Sequence, residues 1–277
     1  MHPILVDLSL GENVNFVVSS YRFFGVLAAC YLSTAAYLHL RRVNLFPAQN
    51  ITMIAVIIAV FFIGSRLLYA ILYWPQVTED PSILARLHLS NFTLYGGLAV
   101  SLLAWWLINK TIKLPFLKLT DHLAPHLGIS AAIMRMGCFL NGCCYGVSTD
   151  MPFGIRFPPF SPAHQAQLST ASELSFFFPA AVHPTQLYEM AAATTASLAA
   201  WLVLSRKTKS GLAAAVFGIV FTAGRLTTYF FRDFPAADHL SNIIRGPIVY
   251  GTALIIFTAW AFFALKQKDA SGIEEVE

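Results

Sequence analysis

Seven stretches of this 277-residue chain run for about 18 to 25 residues with little charge, and each is long enough as a helix to cross a hydrocarbon core of roughly 30 Å. They lie near 15–40, 51–74, 92–109, 123–141, 184–205, 211–231 and 243–265. The sequence therefore predicts an all-α integral membrane protein, a single polytopic domain over residues 1–277. Only 12% of the residues are charged, against roughly 25% in soluble domains. No Lys or Arg precedes Tyr21, so the basic start of a cleavable signal is missing and the first helix is expected to be retained.

Basic loops resist translocation, and the lysines set the expected orientation. Arg41 and Arg42, then Lys110, Lys113 and Lys118, then Arg206, Lys207 and Lys209, then Lys266 and Lys268 fall between or after alternate helices. Those ten cations include every lysine, and they place the N-terminus outside and the C-terminus in the cytoplasm. The other eight cations, Arg22, Arg66, Arg86, Arg135, Arg156, Arg225, Arg232 and Arg245, fall at the outer helix ends or in outer loops, and all are arginine. Arginine's planar fork grips phosphate through two bonds, whereas lysine acts as a point charge. No continuous basic stripe exists, so nucleic acid is not an expected partner. The proline- and phenylalanine-rich segment 142–182 reads as a small ordered cap outside the membrane, 75–91 as a shorter outer loop, and 269–277 as a disordered cytoplasmic tail.

Chemistry concentrates in "RMGCFLNGCCYG", residues 135–146. Asn141-Gly142 reads as a helix stop, with Gly142 suited to the left-handed conformation that ends many helices. Arg135 then lies two turns inside a span, where a charge marks a functional site unless it snorkels to headgroups. Arg66 in "IGSRLLY" and Arg225 in "AGRLTTYFFRD" repeat the pattern, and with few acidic partners in view all three arginines call for an anion carried by a ligand such as a lipid phosphate. "YGGLA" opens the third span, where Gly96 and Gly97 admit either a close ligand at a helix N-terminus or close helix packing. "HPTQLYE" opens the fifth span with Pro184 in the first helical position, and it puts Gln186 and Glu189 one turn apart on an inward face. Glu189 suits orienting an arginine better than acting as a base. Cys30 reads as a small buried residue. Cys138, Cys143 and Cys144 admit packing, a disulfide such as Cys138 to Cys143, direct thiol chemistry, or a metal site needing a fourth ligand such as His164 or His183. No metal is assigned to them.

These blocks resemble the prolipoprotein diacylglyceryl transferases of bacterial plasma membranes. Arg22-Phe23-Phe24-Gly25 is similar to the family's R-x-Y-G, "IGSRLLYAILY" to its G-A-R-x-x-Y block, and "FTLYGGLAV" to its F-H-G-G-L-x-G. "MRMGCFLNGCCYG" resembles G-R-x-G-N-F-x-N-x-E-x-x-G, "HPTQLYE" resembles H-P-S-Q-L-Y-E, and "GRLTTYFFRDFPAAD" resembles R-x-x-x-E-F-F-R-x-P-D. The resemblance implies transfer of diacylglyceryl from phosphatidylglycerol to the lipobox cysteine of a lipoprotein precursor, with release of glycerol 1-phosphate and no cofactor. It implies catalytic roles for Tyr95, Arg135 and Arg225. It also implies substrate contacts for Arg66, Gly96, Gly97, Cys138, Asn141, Cys143, Gly146, Gln186, Glu189 and Tyr229. The chain departs from the family where Tyr95 replaces a histidine, Cys138 an asparagine, Cys143 a glutamate, Phe24 a tyrosine and Tyr229 a glutamate. Other readings are a phospholipid-dependent transferase with another acceptor, or a non-catalytic lipid-binding or thiol-redox membrane protein.

Overall fold

The computed structural model describes residues 4–9, 15–41, 47–84, 94–112, 116–168, 179–206, 208–234 and 239–266. Among these residues, strands β1 (Ile4–Ser9) and β2 (Asn15–Ser19) precede nine α-helices. These are α1 (Ser20–Arg41), α2 (Pro47–Leu72), α3 (Trp74–Glu79), α4 (Leu94–Ile112), α5 (Phe116–Asn141), α6 (Pro162–Leu168), α7 (Thr185–Ser205), α8 (Leu212–Tyr229) and α9 (His239–Lys266), with a 3-10 turn at Pro81–Leu84. Among the described residues, α1, α2, α5, α7, α8 and α9 are long and apolar enough to cross a membrane, and α4 carries a shorter apolar run, Ala99–Ile108. The predicted tail, 269–277, and Arg86 lie outside the described residues.

Two expectations are corrected near the N-terminus. Residues 15–19, expected to begin the first helix, instead form β2, which pairs antiparallel with β1 from Ile4↔Ser19 to Ser9↔Asn15. Val17 and Val18 are β-branched and favour the strand, while Ser20 starts the helix. Cys30, expected to be buried, is exposed on α1.

The chain divides into two compact units, Ser33–Leu119 on one hand and Met1–Leu32 with Thr120–Glu277 on the other. In the first, α2 and α4 meet through glycine. A Cβ on Gly64 would lie 2.6 Å from the Gly96 carbonyl oxygen, and one on Gly97 would lie 2.5 Å from Ser65 Oγ and 2.6 Å from the Phe61 ring. Backbones approach closely at small residues when no hydrophobic effect drives helices together in lipid, and Gly97 allows that approach.

In the second unit, α7 presents fully buried Ala193, Ala196 and Ala200, and it packs against α8, which packs in turn on α9. Ser130 donates from Oγ to the Ala28 carbonyl at 3.0 Å, tying α5 to α1, and Gly137 leaves room for Phe24, whose Cβ would lie 2.7 Å from an added Cβ. The fifth helix starts at Phe116, earlier than the predicted 123, and this brings Asp121 into it. The buried Asp121 carboxylate accepts the Gly211 amide at 2.6 Å and the Ala214 amide at 2.8 Å, satisfying donors that the first turn of α8 cannot pair internally. Gly211, with φ 90°, has no side chain to do so. Asp121→Ala is expected to lose about 1–2 kcal/mol, as other N-cap deletions do, and to speed amide exchange over Gly211–Ala214. Unchanged exchange there would show that the cap contributes nothing.

Candidate active site at the end of the fifth helix

Asn141 closes α5 and Gly142 follows in the left-handed conformation, φ 73°, as the sequence predicts. The Gly142 amide donates to the Phe139 carbonyl at 3.2 Å, and the Cys143 amide donates to the Cys138 carbonyl at 3.1 Å. This is the paired bonding of a Schellman turn, which folds the second residue past the helix back onto its last turn. Cys143 therefore returns to Cys138, and Cys144, itself at φ 61°, turns beside both. Cys138, Cys143 and Cys144 are not joined by a disulfide in this structure. The three Sγ atoms of Cys138, Cys143 and Cys144 lie within 4.8 Å of one another.

The start of α7 holds this turn in place. Thr185 donates to the Cys144 carbonyl at 2.7 Å, and Gln186 Nε2 donates to the Cys143 carbonyl at 2.6 Å. Pro184 is the residue just before the helix (φ −76°, ψ 67°), not its first residue. Gln186 and Glu189 face inward as predicted, both buried. Gln186 Oε1 has no hydrogen-bond partner among the described residues, and a buried acceptor of this kind is ordinarily met by ordered water or a ligand donor.

Glu189 is the electrostatic hub. Its carboxylate ion-pairs with Arg135 Nε through one oxygen and with Arg225 Nη1 through the other, and Arg232 Nη1 stands 3.7 Å away. The sequence suits Glu189 to orienting one arginine; here it pairs with two. Among the described residues three guanidinium groups share one carboxylate, so two positive charges remain over. They are shielded, since the side chains of Arg135, Arg225 and Arg232 are 22%, 15% and 27% exposed and that of Glu189 is 6% exposed. Arg225 also donates to the Tyr250 hydroxyl at 3.1 Å. Tyr229 packs on Tyr250 and Phe234, and its ring fills the space above Gly246.

Arg135 links the carboxylate to the thiols, because its guanidinium also hydrogen-bonds Cys144. Hydrogen bonds from Cys138 and Cys143, then the nearby Arg232 and Arg135 charges, draw the Cys144 thiol below its ordinary range against the opposing effect of burial. Tyr21 on α1 interacts electrostatically with all three cysteines and Arg135.

Gly146 secures the far side. It bridges to Arg232, and a Cβ there would lie 2.3 Å from the Phe231 carbonyl oxygen and 2.7 Å from His183 Cβ. Backbone cannot yield as a flexible side chain does, so Gly146→Ala is expected to cost about 1–3 kcal/mol of overpacking and to displace Arg232. A melting temperature within a degree of the parent would contradict this.

Of the residues predicted for the site, Arg135, Cys138, Asn141, Cys143, Gly146, Gln186, Glu189, Arg225 and Tyr229 belong to one unit, while Arg66, Tyr95, Gly96 and Gly97 belong to the other. The Tyr95 side chain lies outside the described residues. Sequence reasoning missed Tyr21, Thr185, Arg232 and Tyr250 as parts of the site. Arg232 had a signal in the all-arginine outer set; Tyr250, alone in an apolar helix, had none.

A family profile described as prolipoprotein diacylglyceryl transferase matches residues 13–265. A phosphatidylglycerol–prolipoprotein diacylglyceryl transferase 2 of Clostridium perfringens is 28% identical over 233 residues, 82% of this chain and 83% of that protein. The corresponding transferase of Clostridium tetani is 30% identical over 64% of this chain and 65% of its own length. That of Pseudomonas fluorescens is 31% identical over 57% of this chain and 55% of its own length, so the match spans less than two thirds of these last two relatives.

Proposed function

Because the chain belongs to the prolipoprotein diacylglyceryl transferase family, we propose that it moves the diacylglyceryl group of phosphatidylglycerol onto the lipobox cysteine thiol of a lipoprotein precursor and releases glycerol 1-phosphate. The observation that carries this reading is the surplus of guanidinium charge around Glu189. A phosphodiester brings one negative charge and a departing phosphate monoester brings a second, so a site with two uncompensated cations favours the products' charge over the substrate's. Arginine forks aimed where charge develops lower a barrier without reorganising. Glu189 holds Arg135 and Arg225 in position, and Gln186 Oε1 is available to a lipid hydroxyl.

On the resemblance, Tyr95 has a catalytic role, and Arg66, Gly96 and Gly97 contact the lipid. Asn141, Gly146 and Tyr229 shape the arginine site. The protein spans the bacterial plasma membrane seven times, α4 included, with its N-terminus outside, a reading supported by lysines confined to alternate loops.

The test is incubation of the purified protein with phosphatidylglycerol vesicles and a lipobox peptide, with mass spectrometry of the peptide. A diacylglyceryl mass increment on the cysteine that vanishes in Arg135→Ala is the expected result. A folded, lipid-binding protein that yields no adduct would overturn the reading.

A further inference from the structure

We infer that Cys138, Cys143 and Cys144 bind one thiophilic divalent cation of the zinc class, and that the acceptor cysteine thiol enters as its fourth ligand. The second half rests on the transferase reading above.

The three sulfurs converge from a single helix ending. The Schellman turn returns Cys143 to Cys138, and the left-handed backbone at Cys144, unusual outside glycine, brings the third sulfur to the same point. With the Cys143 and Cys144 carbonyls taken by Gln186 and Thr185, the loop is pinned by its backbone. Tetrahedral zinc with Zn–S bonds of about 2.3 Å holds its sulfurs about 3.8 Å apart. Thiols already within 4.8 Å of one another need close by only about 1 Å, within reach of small rotations about each Cα–Cβ bond. A disulfide would use two of the sulfurs and strand the third, whereas a metal uses all three. Three protein ligands with an open fourth position is the pattern of catalytic rather than structural zinc.

The surroundings match that charge. A divalent ion with three thiolates carries one net negative charge, and the guanidinium of Arg135 hydrogen-bonds one of those sulfurs, the kind of outer contact that orients and tunes a metal ligand. The same arginine pairs with Glu189, so the proposed metal and the phosphate grip share a residue.

The chemistry follows from what the transfer needs. A thiolate, not a thiol, is the nucleophile, and a thiol that coordinates a cation gives up its proton outright, here to water. The sulfur's electron pair forms a carbon–sulfur bond to the terminal glyceryl carbon. The carbon–oxygen bond to phosphate breaks, and its electron pair stays on the phosphate oxygen of the departing glycerol phosphate beside Arg135, Arg225 and Arg232. No group changes its oxidation state.

Cobalt(II) is the probe. The reduced, metal-stripped full-length protein in detergent is titrated with cobalt chloride under anaerobic conditions. The expected result is one equivalent bound per chain with sulfur-to-cobalt charge-transfer absorption, lost in Cys143→Ser and in Cys144→Ser and kept in Cys30→Ser. Cadmium titration of the unsubstituted protein gives a second readout, free of any variant's folding. Adding a lipobox peptide should shift the cobalt spectrum as a fourth sulfur binds, and a serine-for-cysteine peptide should not. No charge-transfer band and no cadmium uptake, or a thiol count showing a disulfide in the native membrane preparation, would overturn the site. A spectrum unmoved by the peptide, or full transfer activity after chelation, would overturn the acceptor's role while leaving the transferase reading intact. Metal bound with its spectrum shifted by peptide, but no diacylglyceryl adduct, would support the site and count against that reading instead.

Discussion

Arg135→Ala is expected to slow diacylglyceryl transfer by roughly 10²–10³-fold, the loss typical when one preorganised donor to developing charge is removed. The side chain is placed for this role twice over, paired with Glu189 through Nε and bonded to Cys144. Its removal leaves Glu189 with Arg225 and Arg232, so the carboxylate stays compensated and the fold should survive. That separation makes the experiment clean. The loss should fall on kcat more than on KM, because the second negative charge on phosphate exists only as the carbon–oxygen bond breaks. Arg135→Lys restores the charge without the planar fork and should recover only part of the rate. An Arg135→Ala protein that keeps kcat and loses only KM would reduce Arg135 to a docking contact.

Local physics made the helix ending readable from sequence. Asn141-Gly142 needs only its own backbone preferences to stop α5, and Gly142 takes the left-handed conformation those preferences favour. Gln186 and Glu189 were readable for the same reason, since helical spacing alone puts them on one face. The hairpin was not. Asn15–Ser19 runs directly into the apolar first helix, and a short apolar strand next to a long apolar helix shows no change of period at the join. The hub at Glu189 was half readable. Its suitability for an arginine follows from residue type, but that it pairs with both Arg135 and Arg225 depends on α5, α7 and α8 meeting, which no local spacing reports. Arg232 lies past the end of α8 and joins through the backbone bridge at Gly146, and Tyr21 joins because Gly137 lets α1 approach α5. Each missed residue is brought in by a contact between elements distant in the chain.

Glu189→Ala is expected to be the most destabilising single substitution at the site, costing about 3–5 kcal/mol, the range found when one partner of a buried ion pair is removed. For a chain of this size that corresponds to a fall in melting temperature on the order of ten degrees. The asymmetry with Arg135→Ala is electrostatic. Deleting one arginine leaves a shared carboxylate that still has two cations, whereas deleting the carboxylate leaves three guanidinium groups, none more than 27% exposed, facing one another. Glu189→Gln keeps the shape and should still lose most of that stability, because an amide cannot offset the cations. Adding Arg135→Met to Glu189→Gln should then recover part of it, with a coupling on the order of 0.5–3 kcal/mol between residues in direct contact. Phosphatidylglycerol should stabilise Glu189→Gln more than it stabilises the parent, since its phosphate supplies the missing anion and binding to the native state alone raises stability by mass action. Thermal melts of both proteins with phosphatidylglycerol and with a zwitterionic lipid decide the matter. If neither lipid rescues the variant preferentially, the surplus charge around Glu189 is not a phosphate site.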